Sequence, residues 1–248
     1  MGERAHTPGR DRPILFSAPM VRALLDGRKT QTRRLIKPQP IVHPAGNWSW
    51  EGRNGGFVGA AGTHVDEGFP ESARFWMCIQ TGDRLWVREA WRTGKAYDDL
   101  KPSELGGEEP IQYSADSHIE KWGHRLTTAA GKLRPSMFMP RWASRLTLTV
   151  TDVRVQRLRN ISTDDAEAEG CPPCDRCGDC GWINSGPDGG WQCTEPGCGD
   201  AYVDQYARLW DSINGVGSWA ANPWVAAYTF TVAHQNIDAP TSEGSSHV

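Results

Sequence analysis

Three segments of this chain divide their residues between two faces with the two-residue period of a β-strand. They are "GDRLWVREAW" at Gly82–Trp91, "RLTLTVTDVRVQRL" at Arg145–Leu158 and "NPWVAAYTFTV" at Asn222–Val232. A parallel, doubly wound sheet would need long amphipathic helices between such strands. Here the intervening residues are irregular insertions and short helices, so the pattern excludes that fold. It predicts an α+β chain built as a small β-barrel with short flanking helices. Neither a G-x-G-x-x-G turn nor a P-loop is present.

The helices are marked by their ends. "SAPMVRALLDG" has Ser17 to cap it, Pro19 in its first turn, Met20, Ala23 and Leu24 on one face, and Gly27 to stop it. "ISTDDAEAEG" offers Ser162 or Thr163 as cap, Asp164 and Asp165 at its positive end, and Gly170 as terminator. "AYVDQYARLWDSING" carries Val203, Tyr206, Trp210 and Ile213 on one stripe. Residues 43–71 show no helical period and read as a long loop or irregular hairpin. Residues 93–135 read as loops with one short strand at Ile111–Tyr113. The domain is expected to run over 13–235, with flexible tails at 1–12 and 236–248.

Six of the seven cysteines fall between Cys171 and Cys198. The N-terminus has no apolar signal core and no stretch reaches membrane-helix length, so a cytoplasmic chain without a membrane partner is expected. In a reducing compartment a cysteine cluster reads as a metal site. Zinc asks for four ligands supplied by two tight turns. Cys193 and Cys198 make one turn. Cys174 with Cys177 makes the other, with Cys180 as the alternate, because the spacing of three recurs from Cys171 to Cys180. A four-cysteine site leaves no open position for water, so the zinc is expected to be structural, inserted over 171–199, and no organic cofactor is foreseen.

"DGRKTQTRR" packs four cations into the seven positions Arg28–Arg34 of a chain whose net charge is -3. The overall balance argues against a nucleic-acid coat protein and for a local positive face. Lys29 has three arginines close in sequence, which would depress its pKa and let it serve as a base. Lys29 and Thr32 lie three apart, and in a regular strand they face opposite sides.

"LLDGRKTQTRRL" resembles the G-x-K-T-x-T-x-R element of the ASCH domain family, whose fold is a PUA-like barrel. "GDRLWVREAW" resembles that family's next barrel strand, and "ISTDDAEAEG" its short acidic helix. "LWDSINGVGSWAANPWVAAYTFTV" is similar to the C-terminal part of phage- and prophage-associated members. The resemblance spans Pro13–Val232 outside the three insertions. It implies the activity of the family's small amidohydrolases, which remove the acyl group from N4-acetylcytidine. Carried over by motif, Lys29, Thr32 and Glu169 become the catalytic set, with Glu167 the reserve. Thr32 attacks the acyl carbonyl, Lys29 activates it, and Glu169 handles protons for the leaving amine. Substrate contacts are expected from Arg33, Glu89 and Trp86. An inward-facing Glu89 needs a cation, either Lys29 or an arginine of the basic strand, and is either an ion pair or a substrate-contacting acid. Trp91 and Trp224 are further stacking candidates or core residues. The implied partner is a modified-cytosine nucleoside. The alternatives are an RNA- or modified-base-binding module without catalysis, or a ribonuclease.

Overall fold

The computed structural model describes residues 9–45, 47–52, 55–59, 62–115, 119–120, 130–171, 183–184, 191–192 and 201–240. The fold is α+β. Its early strands are β1 (Asp11–Leu15), β2 (Gln31–Leu35), β3 (Ile41–Val42), β4 (Trp48–Gly52), β5 (Gly55–Val58) and β6 (Arg84–Arg88). Then come β7 (Trp91–Arg92), β8 (Ile111–Tyr113), β9 (Ile119–Glu120) and the eleven-residue β10 (Thr147–Arg157). β11 (Ile183–Asn184), β12 (Trp191–Gln192) and β13 (Trp224–Ala233) complete the set. The helices are α1 (Ala18–Leu25), α2 (Val65–Arg74), α3 (Thr163–Ala168) and α4 (Ala201–Asn214). The largest sheet has five strands in the order β1-β6-β10-β13-β2, and no barrel closes among the described residues.

The chain divides into two compact units. One comprises Met1–Gly27, Thr81–Val150 and Phe230–Val248. In it β6 runs parallel to β1 and antiparallel to the start of β10. A second sheet, β7-β8-β9, covers a core of Trp91, Leu105, Ile111, Tyr113, Met139 and Ala143. The buried positions of α1 are Val21, Ala23 and Leu24, with Met20 only half-covered, and Gly27 adopts the left-handed φ of 73° that a glycine stop provides. Strand β1 begins two residues before Pro13. The segment from Asn236, expected to be a tail, is anchored at its start. The Asn236 side chain donates to the carbonyls of Arg141, Trp142 and Ser144, Ile237 is buried, and Asp238 accepts from Arg141.

The other unit comprises Arg28–Gln80 and Thr151–Thr229. Here β2 pairs antiparallel with β13, setting Thr32 opposite Tyr228 and Arg33 opposite Ala227. The insertion expected at 43–71 to be loop or irregular hairpin holds the β4-β5 hairpin, which β3 extends into a sheet, and most of the helix α2, which the sequence pattern did not reveal. Gly68 and Pro70 hide it, yet Val65, Phe69 and Ala73 recur every four residues and all three are buried. Phe69 packs edge-on against Trp48, Trp50 and Trp224, with ring centroids 5.8, 6.0 and 4.9 Å away. That tertiary burial outweighs the weak local propensity. A second core joins Leu158, Ile161, Ala166, Cys171, Tyr206, Trp210 and Val225. On α4 the stripe holds at Tyr206 and Trp210 but not at Ile213, which is 64% exposed. The helix has passed the edge of this core by its last turn.

The Ser162 hydroxyl caps α3 by accepting from the Asp165 amide at 3.1 Å. Ser162→Ala is expected to lower stability by about 1 kcal/mol, read as a shift of the urea midpoint at constant slope.

Candidate functional site

The last turn of α3 and the start of β2 meet in the second unit. Carbonyls at a helix C-terminus have no partner inside the helix. Here the basic stretch supplies them. The Thr30 amide donates to the Ala168 carbonyl at 2.9 Å, the Lys29 Nζ to the Glu169 carbonyl at 2.7 Å, and Arg28 to the Gly170 carbonyl at 3.4 Å. An isolated antiparallel bridge pairs Lys29 with Glu169. Gly170, at φ 78°, turns the chain away behind them.

The side chains continue the contact. The Lys29 Nζ lies 2.9 Å from Glu169 Oε2, and Arg33 donates to Glu169 Oε1 at 3.0 Å. Lys29 is 1% and Glu169 3% exposed. A carboxylate at a helix C-terminus is disfavoured by the helix dipole, and two cations buried on it offset that cost. Arg33 uses its other arm on Asp165, at 2.6 Å, and Asp165 also accepts from Gln31 at 3.1 Å and Arg154 at 2.9 Å. The Arg33 guanidinium stands 5.9 Å from the centre of the Tyr206 ring.

Burial pulls the pKa of Lys29 below the ordinary lysine range, against the opposing pull of Glu169. The same burial pushes Tyr206 well up and carries the Cys171 thiol up to about 12. Asp165 goes the other way: burial raises it, but the hydrogen bond from Arg154 and the charge of Arg33 hold it below the usual carboxylate value. Arg34 is exposed, and desolvation by the surrounding protein lowers its pKa against the opposing pull of Glu169, Tyr206 and Tyr228. A lysine of reduced basicity hydrogen-bonded to a carboxylate can exchange a proton with it, so the pair can act as one acid–base unit.

The expected residues fall into three groups. Lys29 and Glu169 come together. Thr32 is buried, and the pleat of β2 sends it to the face opposite Gln31 and Arg33, the side of its cross-strand partner Tyr228. Arg33 is not the ligand-facing cation expected of it: it is buried, with both arms on carboxylates. Asp165, read from the sequence only as a dipole-matched acid, is the partner that fixes it. Glu167, the reserve acid, is exposed.

Glu89 and Trp86 belong to the first unit. Glu89 takes the cation that its burial requires from Arg145. Its two oxygens accept from Arg145 at 2.9 and 3.1 Å, and Arg145 lies 4.0 Å from the centre of the Tyr113 ring. Glu89 is buried immediately after β6, and its cation comes from the chain entering β10. Trp86 is buried on β6 with the Arg88 guanidinium 4.7 Å from its ring centre. Trp91 and Trp224 are core residues. The cysteines Cys174, Cys177, Cys180, Cys193 and Cys198 lie outside the described residues. Cys171 is buried in the core beside Tyr206 and Trp210.

The fold and the site together define an α+β protein with a buried lysine–glutamate pair joining a basic strand to an acidic helix. No family model, curated protein or solved structure matches the chain.

Proposed function

We propose that this is a PUA-like protein of the ASCH type that removes the acyl group from N4-acetylcytidine or a related N4-acylated cytosine nucleoside. The observation that carries the reading is the Lys29–Glu169 pair. The two elements on which the resemblance rests are 140 residues apart in sequence and hydrogen-bonded through side chain and backbone.

The chemistry balances with these residues alone. The Thr32 hydroxyl attacks the acyl carbonyl while its proton passes to Lys29, which has first handed its own proton to the Glu169 carboxylate 2.9 Å away. The tetrahedral intermediate collapses with cleavage of the C–N bond, and the cytosine amine leaves with a proton returned through Lys29 and Glu169. Water, activated by Lys29, then hydrolyses the acyl-threonine ester to the carboxylic acid. The step requires Lys29 Nζ to reach Thr32 across one pleat of the strand.

The placement of the cations favours this reading over a ribonuclease or an RNA-binding surface. Lys29 and Arg33 are buried on carboxylates, so two of the four cations of the basic stretch are withdrawn from any phosphate chain. Conversion of N4-acetylcytidine to cytidine by the purified chain tests the proposal. Salt-sensitive RNA binding without turnover overturns it.

We also propose a structural zinc held by Cys174, Cys177, Cys193 and Cys198, with Cys180 as the alternate. The β11–β12 pair lies in sequence between the two cysteine groups, as in a zinc ribbon. Metal analysis should find one zinc per chain, and a chelator should lower the melting temperature. Absence of stoichiometric metal refutes the site.

A further inference from the structure

Five side chains of the second unit form a ladder of alternating charge. Lys29 meets Glu169 at 2.9 Å, Glu169 meets Arg33 at 3.0 Å, Arg33 meets Asp165 at 2.6 Å, and Asp165 meets Arg154 at 2.9 Å. Exposure rises along it: the Arg33 side chain is 0% exposed, that of Asp165 15%, and that of Arg154 40%. The ladder runs from a buried lysine to the protein surface, where Asp152 stands 3.4 Å from Arg154. Gln31 braces its middle, donating to Asp165 and accepting from Arg33.

We propose that Arg33, Asp165 and Arg154 are positioning residues that act through Glu169 on Lys29, so that a surface arginine tunes the proton affinity of a buried lysine. From Lys29 to Arg33 the charges are buried and each is felt by the next with little screening, while solvent weakens the coupling towards Arg154. Arg33 holds Oε1 of Glu169, and its positive charge there offsets part of the carboxylate's pull on Lys29. Asp165 in turn fixes Arg33, and Arg154 fixes Asp165. The other titratable and charged groups facing this end of the ladder are Arg34, Cys171 and Tyr206, and they stay constant in every variant below. The inference concerns the same site as the proposed hydrolase, and it depends on that reading only for its consequence in turnover.

Alternation of sign makes the ladder testable without substrate. The full chain would be labelled with ¹³Cε-lysine, the Lys29 resonance assigned by its loss in Lys29→Arg, and its titration followed by NMR. Arg33→Met removes a cation and should raise the Lys29 midpoint by about 0.5–1 pH unit. Asp165→Asn removes an anion and should lower it by a similar amount. Arg154→Met should raise it by less. Arg33→Lys, which keeps the charge, should stay near wild type. A merely structural role would move all of these one way or none. Shifts of one common sign, or wild-type midpoints throughout, overturn the ladder. Should the two buried variants fail to give native-like spectra, the half-exposed Arg154→Met decides: an unchanged midpoint refutes the proposal. In turnover, the same substitutions should lower kcat and leave KM within about twofold. Absence of turnover with altered titration would refute the substrate reading and leave the ladder standing.

Discussion

Glu169→Ala is expected to destabilise the chain by about 3–5 kcal/mol, because it strands two buried cations at once. Lys29 Nζ keeps the Glu169 backbone carbonyl but loses its carboxylate, and Arg33 keeps Asp165 but loses its second anion. Glu169→Gln keeps the shape and hydrogen-bonding oxygen but not the charge, and should fall between. Urea unfolding checks both. A cost below about 1 kcal/mol for Glu169→Ala would mean that the pair is solvated in solution. The expected loss matters for the reading of activity. Absence of turnover in this variant counts only where a native-like spectrum shows that it is folded.

Glu89→Leu should cost a similar amount in the other unit, where it leaves Arg145 buried under Tyr113 without its anion. The double variant Glu89→Leu with Arg145→Met should recover most of that loss, since two apolar side chains replace both charges. The double-mutant cycle therefore yields a coupling energy of several kcal/mol for an ion pair. If Glu89 instead served the substrate, the single change would leave stability nearly unaltered and act on KM. The bidentate geometry at 2.9 and 3.1 Å favours the former.

The sequence foretold strands better than partners. The alternation in "RLTLTVTDVRVQRL" placed β10, which runs unbroken through two successive exposed residues, Thr151 and Asp152. The caps and glycine stops placed α1 and α3. Helix α2 escaped because Gly68 and Pro70 lower its local propensity, and what holds it is the contact of Phe69 with Trp48 and Trp224. Alternation likewise announced that Glu89 points inward, but not that its arginine lies 56 residues on. Arg33 misled because an arginine in a basic run reads as a solvated charge. Its burial follows from Asp165, and two adjacent acids at a helix start have a sufficient local explanation in the dipole. The pairing of Lys29 with Glu169 came from the resemblance, since no spacing rule reaches across 140 residues.

The central claim is that Lys29, Thr32 and Glu169 form one hydrolytic site, and turnover of N4-acetylcytidine tests it most directly. The wild-type chain should release cytidine and acetate. Lys29→Ala and Thr32→Ala should each lower kcat by about 10²–10⁴-fold while remaining folded, and Glu169→Ala should be inactive wherever it folds. Cytidine release that persists unchanged in Lys29→Ala and Thr32→Ala, or no release by the wild type, would contradict it.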